Sequence, residues 1–187
     1  DYSYKTGSYN DHENGVIAFN IPDEIADYVL ERTAYTDGII VNANGEITGY
    51  EGEQKTVVIP EYWVEKNEKD NTSTAIKITG IKASAFAGKD VEVIELSENI
   101  TAIPDGAFRD CTSLVSVEGK GLTTIGKESF KGCTALKVCS LGENIKAIGT
   151  DAFCDMQSLT VKAANKHMVL STLQSGAKEI KIIISES

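Results

Sequence analysis

Apolar positions recur along the second half of the chain with a period near 22 residues. Phe86, Phe108, Phe130 and Phe153 are spaced by 22, 22 and 23 residues. Five residues before each stands an isoleucine: Ile81, Ile103, Ile125 and Ile148. Eight before each is Ile78, Ile100, Leu122 or Ile145, and directly before each is a small residue, Ala85, Ala107, Ser129 or Ala152. Val91, Leu114, Leu136 or Leu159 follows five or six residues later. After that comes a short β-rich stretch: Val93 to Leu96, Ser116 to Glu118, Val138 to Leu141 and, less clearly, Val161. Five columns kept through four copies are a repeat and not an accident of composition.

A period near 22 is too short for a pair of helices. It fits one strand, two turns and an irregular or 3₁₀ segment per winding. One winding cannot bury its own apolar row. Neighbours stacked at ~4.8 Å turn each column into a continuous ladder. Outside the repeat, Pro22 to Thr33 reads as an amphipathic helix, with Ile25, Tyr28, Val29 and Arg32 on one side and acids in the first turn. With strands around Ile39 to Ile47 it makes an N-terminal cap. Residues 1–21 belong either to this cap or to the tail of a preceding domain. Lys166 to Leu173 reads as a short helix and Glu179 to Ser185 as a strand, together a C-terminal cap. The polar run Glu65 to Ser73 is expected as a loop within one continuous fold and not as a linker.

Two segments carry a family resemblance. Ile103-Pro-Asp-Gly-Ala-Phe108-Arg-Asp-Cys111-Thr-Ser-Leu114 and Ile125-Gly-Lys-Glu-Ser-Phe130-Lys-Gly-Cys133-Thr-Ala-Leu136 resemble the bacterial BspA-like leucine-rich repeat. Asp37-Gly38, Ile47-Thr-Gly-Tyr50-Glu-Gly52 and Val57-Val58-Ile59-Pro60 resemble that family's usual opening. The first copy departs from the pattern with Lys89 at the Cys place and one residue fewer before Val91. The last departs with Met156 at that place and Cys154 beside Phe153. Both departures fall at array ends, where repeats are irregular. The resemblance implies an α/β-type repeat solenoid, a right-handed array of four to five coils with short parallel strands, few helices and a cap at each end. Residues 1–36 would be the N-terminal extension and cap, 37–163 the repeats and 164–187 the C-terminal cap.

Charge divides the chain in two. Of 28 acidic and 18 basic residues, fifteen acidic and five basic lie in residues 1–70, so the whole net charge of −10 sits there. All seven tyrosines and Trp63 also lie in the first 63 residues. An acidic chain is repelled by phosphate, which argues against nucleic acid as a partner. No window approaches eighteen uninterrupted apolar residues, so no membrane-spanning helix is expected. The chain opens on Asp1 without a signal peptide, which reads as the start of a trimmed or processed chain.

Candidate chemistry is sparse. Cys111 and Cys133 share a column in adjacent coils, with Cα atoms expected roughly 5 Å apart, inside the range for a disulfide. Their parallel side chains suit packing better, and they read as small buried hydrophobes, with a bridge left open. Cys139 falls in the strand column of Ile94 and Val117 and reads as core. No Cys-x-x-Cys pair exists and His is scarce, so neither zinc nor another metal is expected. His12 stands among acids in Asn10-Asp11-His12-Glu13-Asn14, a solvated loop by the plainer reading, and His167 is the other histidine. Asn42-Ala-Asn44-Gly45 is like part of a calcium loop but lacks its bidentate Glu, and a hairpin turn explains it better. Asn71-Thr-Ser73 and Asn99-Ile-Thr101 match a glycosylation sequon, which carries little meaning in the bacterial source that the resemblance implies. No nucleophile elbow or phosphate loop occurs, so neither catalytic residues nor a cofactor is expected.

Two surfaces are candidates for binding. Leucine-rich arrays bind through the strand face, whose outward rows here would be Val93, Ser116 and Val138, then Glu95, Glu118 and Ser140. Tyr62 and Trp63 offer aromatic faces for a sugar or a protein pocket, although Trp63 packing over the first coil explains them more simply. The resemblance implies a non-enzymatic, secreted or cell-surface bacterial module for adhesion or protein binding, with a protein or host surface component as partner. The alternatives are a spacer or targeting module of a larger enzyme, or carbohydrate binding through Trp63 and nearby Tyr.

Overall fold

A computed structural model describes residues 8–10, 17–22, 36–67, 72–142, 144–156, 159–163 and 180–184. Each period of about 22 residues after the first feeds one strand into each of two parallel sheets. The larger sheet takes β5 (Thr56–Ile59), β9 (Val93–Leu96), β11 (Ser116–Gly119), β13 (Val138–Leu141), β15 (Leu159–Ala163) and β16 (Ile180–Ile184), in sequence order and all parallel. The smaller takes the two-residue strands β10 (Ala102–Ile103), β12 (Thr124–Ile125) and β14 (Ala147–Ile148). Sequence order equals spatial order because each connection returns the chain to the same edge one strand further on. The last strand, expected over Glu179 to Ser185, is β16.

Between the sheets lies one apolar cluster, and the columns seen in the sequence are its rungs. The rings of Phe86, Phe108, Phe130 and Phe153 are fully buried and stack in order, with centroids 5.2, 5.4 and 5.4 Å apart. Tyr50 stacks on Phe86 at 5.7 Å and adds a fifth ring that the period of 22 did not reveal. Among the described side chains the Ile and Leu columns are buried beside the rings, save Ile148, which packs against them half-exposed.

The turns that carry the rings form a ladder of their own. The N–H groups of Phe86, Phe108 and Phe130 donate to the carbonyls of Ala107, Ser129 and Ala152 in the following coil, at 2.9, 2.9 and 2.8 Å. Two residues on, Gly88 and Asp110 donate likewise to Arg109 and Lys131, both at 2.8 Å. Turn segments this tight alternate handedness. The residue two before each ring (Ser84, Gly106, Glu128, Asp151) and the residue two after it (Gly88, Asp110, Gly132, Asp155) all have φ between 52° and 77°. The donors all point towards the C-terminal end, so their peptide dipoles add. Asp151 and Asp155 occupy the donor end of this ladder among the described residues, where negative charge is favoured.

Two further sheets flank the repeats on the N-terminal side. The strands β3 (Ile39–Val41) and β4 (Glu46–Tyr50) form an antiparallel hairpin, and β4 continues parallel to β8 (Gly80–Ile81). At its tip Asn42 Oδ1 accepts from the N–H groups of Asn44 and Glu46, both at 3.0 Å, and Gly45 takes φ +72°. The motif that was like a calcium loop is therefore a hairpin turn. The other sheet is antiparallel, ordered β1 (Ser8–Asn10), β2 (Ile17–Pro22), β7 (Thr72–Lys77) and β6 (Tyr62–Asn67).

That sheet corrects two expectations. The run Glu65 to Ser73 is not a loop throughout: residues 65–67 close β6 and residues 72–73 open β7. Residues 65–67 pair with residues 72–74 across the hairpin, and residues 72–73 pair on their other side with β2, about fifty residues earlier. Pro22 ends β2 and does not begin a helix, and the rest of the helix expected to Thr33 lies outside the described residues, as does that at Lys166 to Leu173. No helix occurs among the described residues.

Candidate binding face

The outward residues of the larger parallel sheet stand in two straight rows. Strand alternation turns Val57, Ile94, Val117 and Cys139 inwards, where all are buried, and leaves their neighbours outside. Register places Val93, Ser116 and Val138 side by side, with Thr56 before them. The second row runs Val58, Glu95, Glu118 and Ser140. All six strand residues expected to face outwards do so, Glu95 and Glu118 being exposed and the other four half-buried. Thr56 and Val58 lengthen the rows and were missed as row members. The signal was there in the alternation Val57-Val58-Ile59.

The first row sets Val93 and Val138 among hydroxyl side chains, and the second is acidic in its middle. Glu95 and Glu118 are direct neighbours on adjacent strands, a like-charge pair that costs on the order of 1 kcal/mol or less in water. Lys120 Nζ approaches Glu118 at 3.5 Å and offsets part of this from one side. A cation laid across the two strands would meet both carboxylates. The face can therefore take a partner that offers apolar contact beside a basic group.

Trp63 does not lie in these rows. It pairs with Ile76 across β6 and β7 and packs half-buried against the apolar cluster, beside the first coil. Tyr62, also half-buried, pairs with Lys77. The structure thus separates the two surfaces that the sequence offered for binding.

The remaining candidates resolve into structure. Cys111, Cys133 and Cys139 are free and buried, and Cys154 is free and half-exposed. The thiols of Cys111 and Cys133 donate to the carbonyls of Phe86 and Phe108 at 3.0 and 2.9 Å, so each satisfies a backbone acceptor of the preceding coil as well as filling space. Contact with the neighbouring Cys111 thiol, and then burial, push the Cys133 thiol up. Burial alone pushes Cys139 up to about 12. Asn99 Nδ2 donates to the carbonyls of Ile78 at 2.6 Å and Glu61 at 3.3 Å, so this sequon asparagine ties coils together. His12, His167 and Asn71 lie outside the described residues. Among the described residues no three His, Cys, Asp or Glu side chains gather as a metal site, and no helix is long and apolar enough to cross a membrane.

Comparison with known proteins bears on the same residues. A family model described as BspA type leucine rich repeat region matches residues 59–176 in six copies, well over half the chain. Among solved structures, a leucine-rich repeat protein from Bacteroides ovatus is 27% identical, with a TM-score of 0.55 over 78% of this chain and 40% of its own. A leucine rich cell surface protein from Faecalibacterium prausnitzii is 20% identical, with a TM-score of 0.52 over 81% of this chain and 43% of its own, a likeness of fold. The chain thus spans about two fifths of the length of each. No curated protein gives a significant match.

Proposed function

The chain belongs to the BspA-type leucine-rich repeat family, and from that membership we propose a non-enzymatic binding or adhesion module of a bacterial cell-surface or secreted protein. Proteins of this repeat type are commonly interaction modules, and the F. prausnitzii neighbour is a cell surface protein by name. The repeats form a right-handed solenoid, with residues 37–163 as its coils, residues 1–36 as the N-terminal cap and residues 164–187 as the C-terminal cap. One observation carries the binding reading: the strand face aligns Val93, Ser116 and Val138 beside Glu95, Glu118 and Ser140 in unbroken register over rigid, fully packed rungs. Such a surface costs little ordering entropy on binding, which favours recognition. The partner is a protein or host surface component that presents a basic group beside apolar contacts.

Immobilised host-matrix proteins and whole bacterial cells, titrated with the purified chain, test this. Saturable binding is expected, weakened about tenfold or more by Glu95→Lys with Glu118→Lys while the unfolding midpoint holds. Binding that ignores both substitutions overturns the assignment of the face. Loss on Trp63→Ala, with signal on a glycan array, points instead to carbohydrate. Absence of any partner points to a spacer or targeting role within a longer protein.

A further inference from the structure

A third row adjoins the two on the strand face. The N–H groups of Val115 and Ser116 both bond the Glu92 carbonyl, at 2.8 and 3.2 Å. Glu92 and Val93 share the Lys55 carbonyl in the same way, and Lys137 and Val138 share that of Val115. Each shared acceptor marks one extra residue at the mouth of a strand, a bulge, which leaves two consecutive side chains outside. Leu114 and Val117 on either side of Val115 and Ser116 are buried, as Leu136 and Cys139 are around Lys137 and Val138. Glu92, Val115 and Lys137 are all exposed and stand one coil apart, in the order acid, aliphatic, base. At 38% exposure Val115 is one of two large apolar residues open to solvent among the described residues, Ile40 being the other. Neither Glu92 nor Lys137 has an ion-pair partner among the described residues, whereas Lys55 at the head of the row is held by Asp90.

We infer that this row docks an amphipathic α-helix of a protein partner, laid along the array with its N-terminal end over Glu92 and its C-terminal end over Lys137. Spacing selects the helix. Coils follow one another at ~4.8 Å, so Glu92 and Lys137 lie about 10 Å apart with Val115 midway. A helix rises about 1.5 Å per residue, so residues i and i+7 of one face also lie about 10 Å apart, with i+3 and i+4 between them. An extended segment repeats its side chains on one face every ~7 Å and overshoots the row by about 4 Å in two steps. From Val115 to Glu118 the strand spans about 10 Å, the width of one helix. Charge sets the direction. Glu92 and Glu95 put two carboxylates in one coil, and Lys137 stands two coils further on. A helix is partly positive at its N-terminus and partly negative at its C-terminus, so these charges orient it. A basic residue at i and an acidic one at i+7 add to the same orientation. Aliphatic residues at i+3 and i+4 then meet Val115, with Val93 and Val138 beside it. The inference rests on the strand face being the binding surface and gives its partner a shape and a polarity.

Two alanine-rich peptides of about four turns, stapled on the opposite face to hold them helical, test it by fluorescence anisotropy at low salt. One carries lysine at i, leucine at i+3 and i+4 and glutamate at i+7, and the other exchanges the lysine and the glutamate. The chain is expected to bind the first at least about tenfold more tightly than the second. Glu92→Lys with Lys137→Glu, which keeps the net charge, should invert that preference, and Val115→Asp should weaken the first peptide about tenfold or more. All three positions are exposed, and circular dichroism of each variant establishes that it is folded. No binding of either peptide, equal affinity for both, or a preference that the charge exchange does not invert overturns the proposal. A dimer of the chain that Val115→Asp dissolves, read by sedimentation velocity, gives the row to a second copy and overturns it too. Binding to host-matrix protein that Glu95→Lys with Glu118→Lys weakens and Val115→Asp leaves unchanged strikes the helix and keeps the face. Host-matrix binding that ignores all of these substitutions strikes the face as well.

Discussion

The hydroxyl of Thr36 closes the edge of the larger sheet at Val58. Its Oγ1 accepts from the Val58 N–H at 2.7 Å and donates to the Val58 carbonyl at 3.3 Å, and Thr36 is itself buried. An edge strand with free donors and acceptors invites pairing with another chain. Thr36→Val keeps the shape and removes both bonds. It should cost about 1–3 kcal/mol in urea unfolding and produce association detectable by sedimentation velocity. Thr36→Ser should do neither. A Thr36→Val protein as stable and monomeric as the parent rules this role out.

The ring ladder sets the stability of the repeats. Phe108→Ala removes a ring packed on both faces and should cost about 3–5 kcal/mol. Tyr50→Phe keeps the ring on Phe86 but loses the bond from Tyr50 Oη to the Gln54 carbonyl at 2.9 Å, so about 1 kcal/mol is expected. Chemical denaturation of both proteins checks the ratio. Equal losses would mean that the rings are not what holds neighbouring coils.

Backbone handedness gives a substitution pair of opposite sign. Exposed Ser84 holds φ 59°, which costs an L-residue about 1 kcal/mol, so Ser84→Gly should raise stability by up to that amount. Gly88 holds φ +69° with no atom within 4 Å of a Cβ built there, so Gly88→Ala should lose about 1 kcal/mol from conformation alone. Shifts of the same sign in thermal unfolding would contradict it.

The thiols should differ in reactivity. Cys154 is half-exposed and reacts with iodoacetamide in the folded protein, slowly, because burial and then the nearby Asp155 and Asp151 carboxylates raise its pKa. Cys139, pushed up to about 12 and enclosed, reacts only on unfolding, and enclosed Cys111 and Cys133 behave likewise. Mass spectrometry of digested, alkylated protein reads the order. Early labelling of Cys139 would show the core to be open.

Acid should weaken the hairpin tip. Glu46 accepts from Asn42 Nδ2 and pairs with Lys82 Nζ, both at 2.9 Å, and these contacts, the Asn42 bond first, hold its pKa below the ordinary carboxylate value. A depressed pKa contributes stability that is full above the unfolded value and is lost as pH falls through the folded one. The gap in melting temperature between the parent and Glu46→Gln should therefore be widest near neutrality and shrink in acid below about pH 4.5. A gap independent of pH would remove Glu46 from the account.

What was legible along the chain was whatever recurred. Ile, Phe and Leu keep their columns through four copies because each must meet its equivalent one coil away, and that requirement writes itself into spacing. The outward rows at Val93 to Ser140 followed from the same register. Tyr50 and the strand at Thr56 to Ile59 escaped the count because the hairpin of residues 62–77 lies between them and the first full period, so their distance to Phe86 is not a multiple of 22.

Other features needed three dimensions. The left-handed turns fall on Ser, Gly, Glu and Asp alike, since the hydrogen-bond ladder imposes the conformation and the side chain only tolerates it. Residues 65–67 and 72–73 look like loop because they are polar, and they become strand by pairing with each other in a hairpin whose second strand is flanked by β2 from far upstream. Sequence alone determined the period, the core columns and the outward rows, because repetition makes a contact between coils local in pattern. Tertiary structure alone decided the hairpin sheet, the turn handedness and the Thr36 closure, because each is made by a partner that no spacing announces.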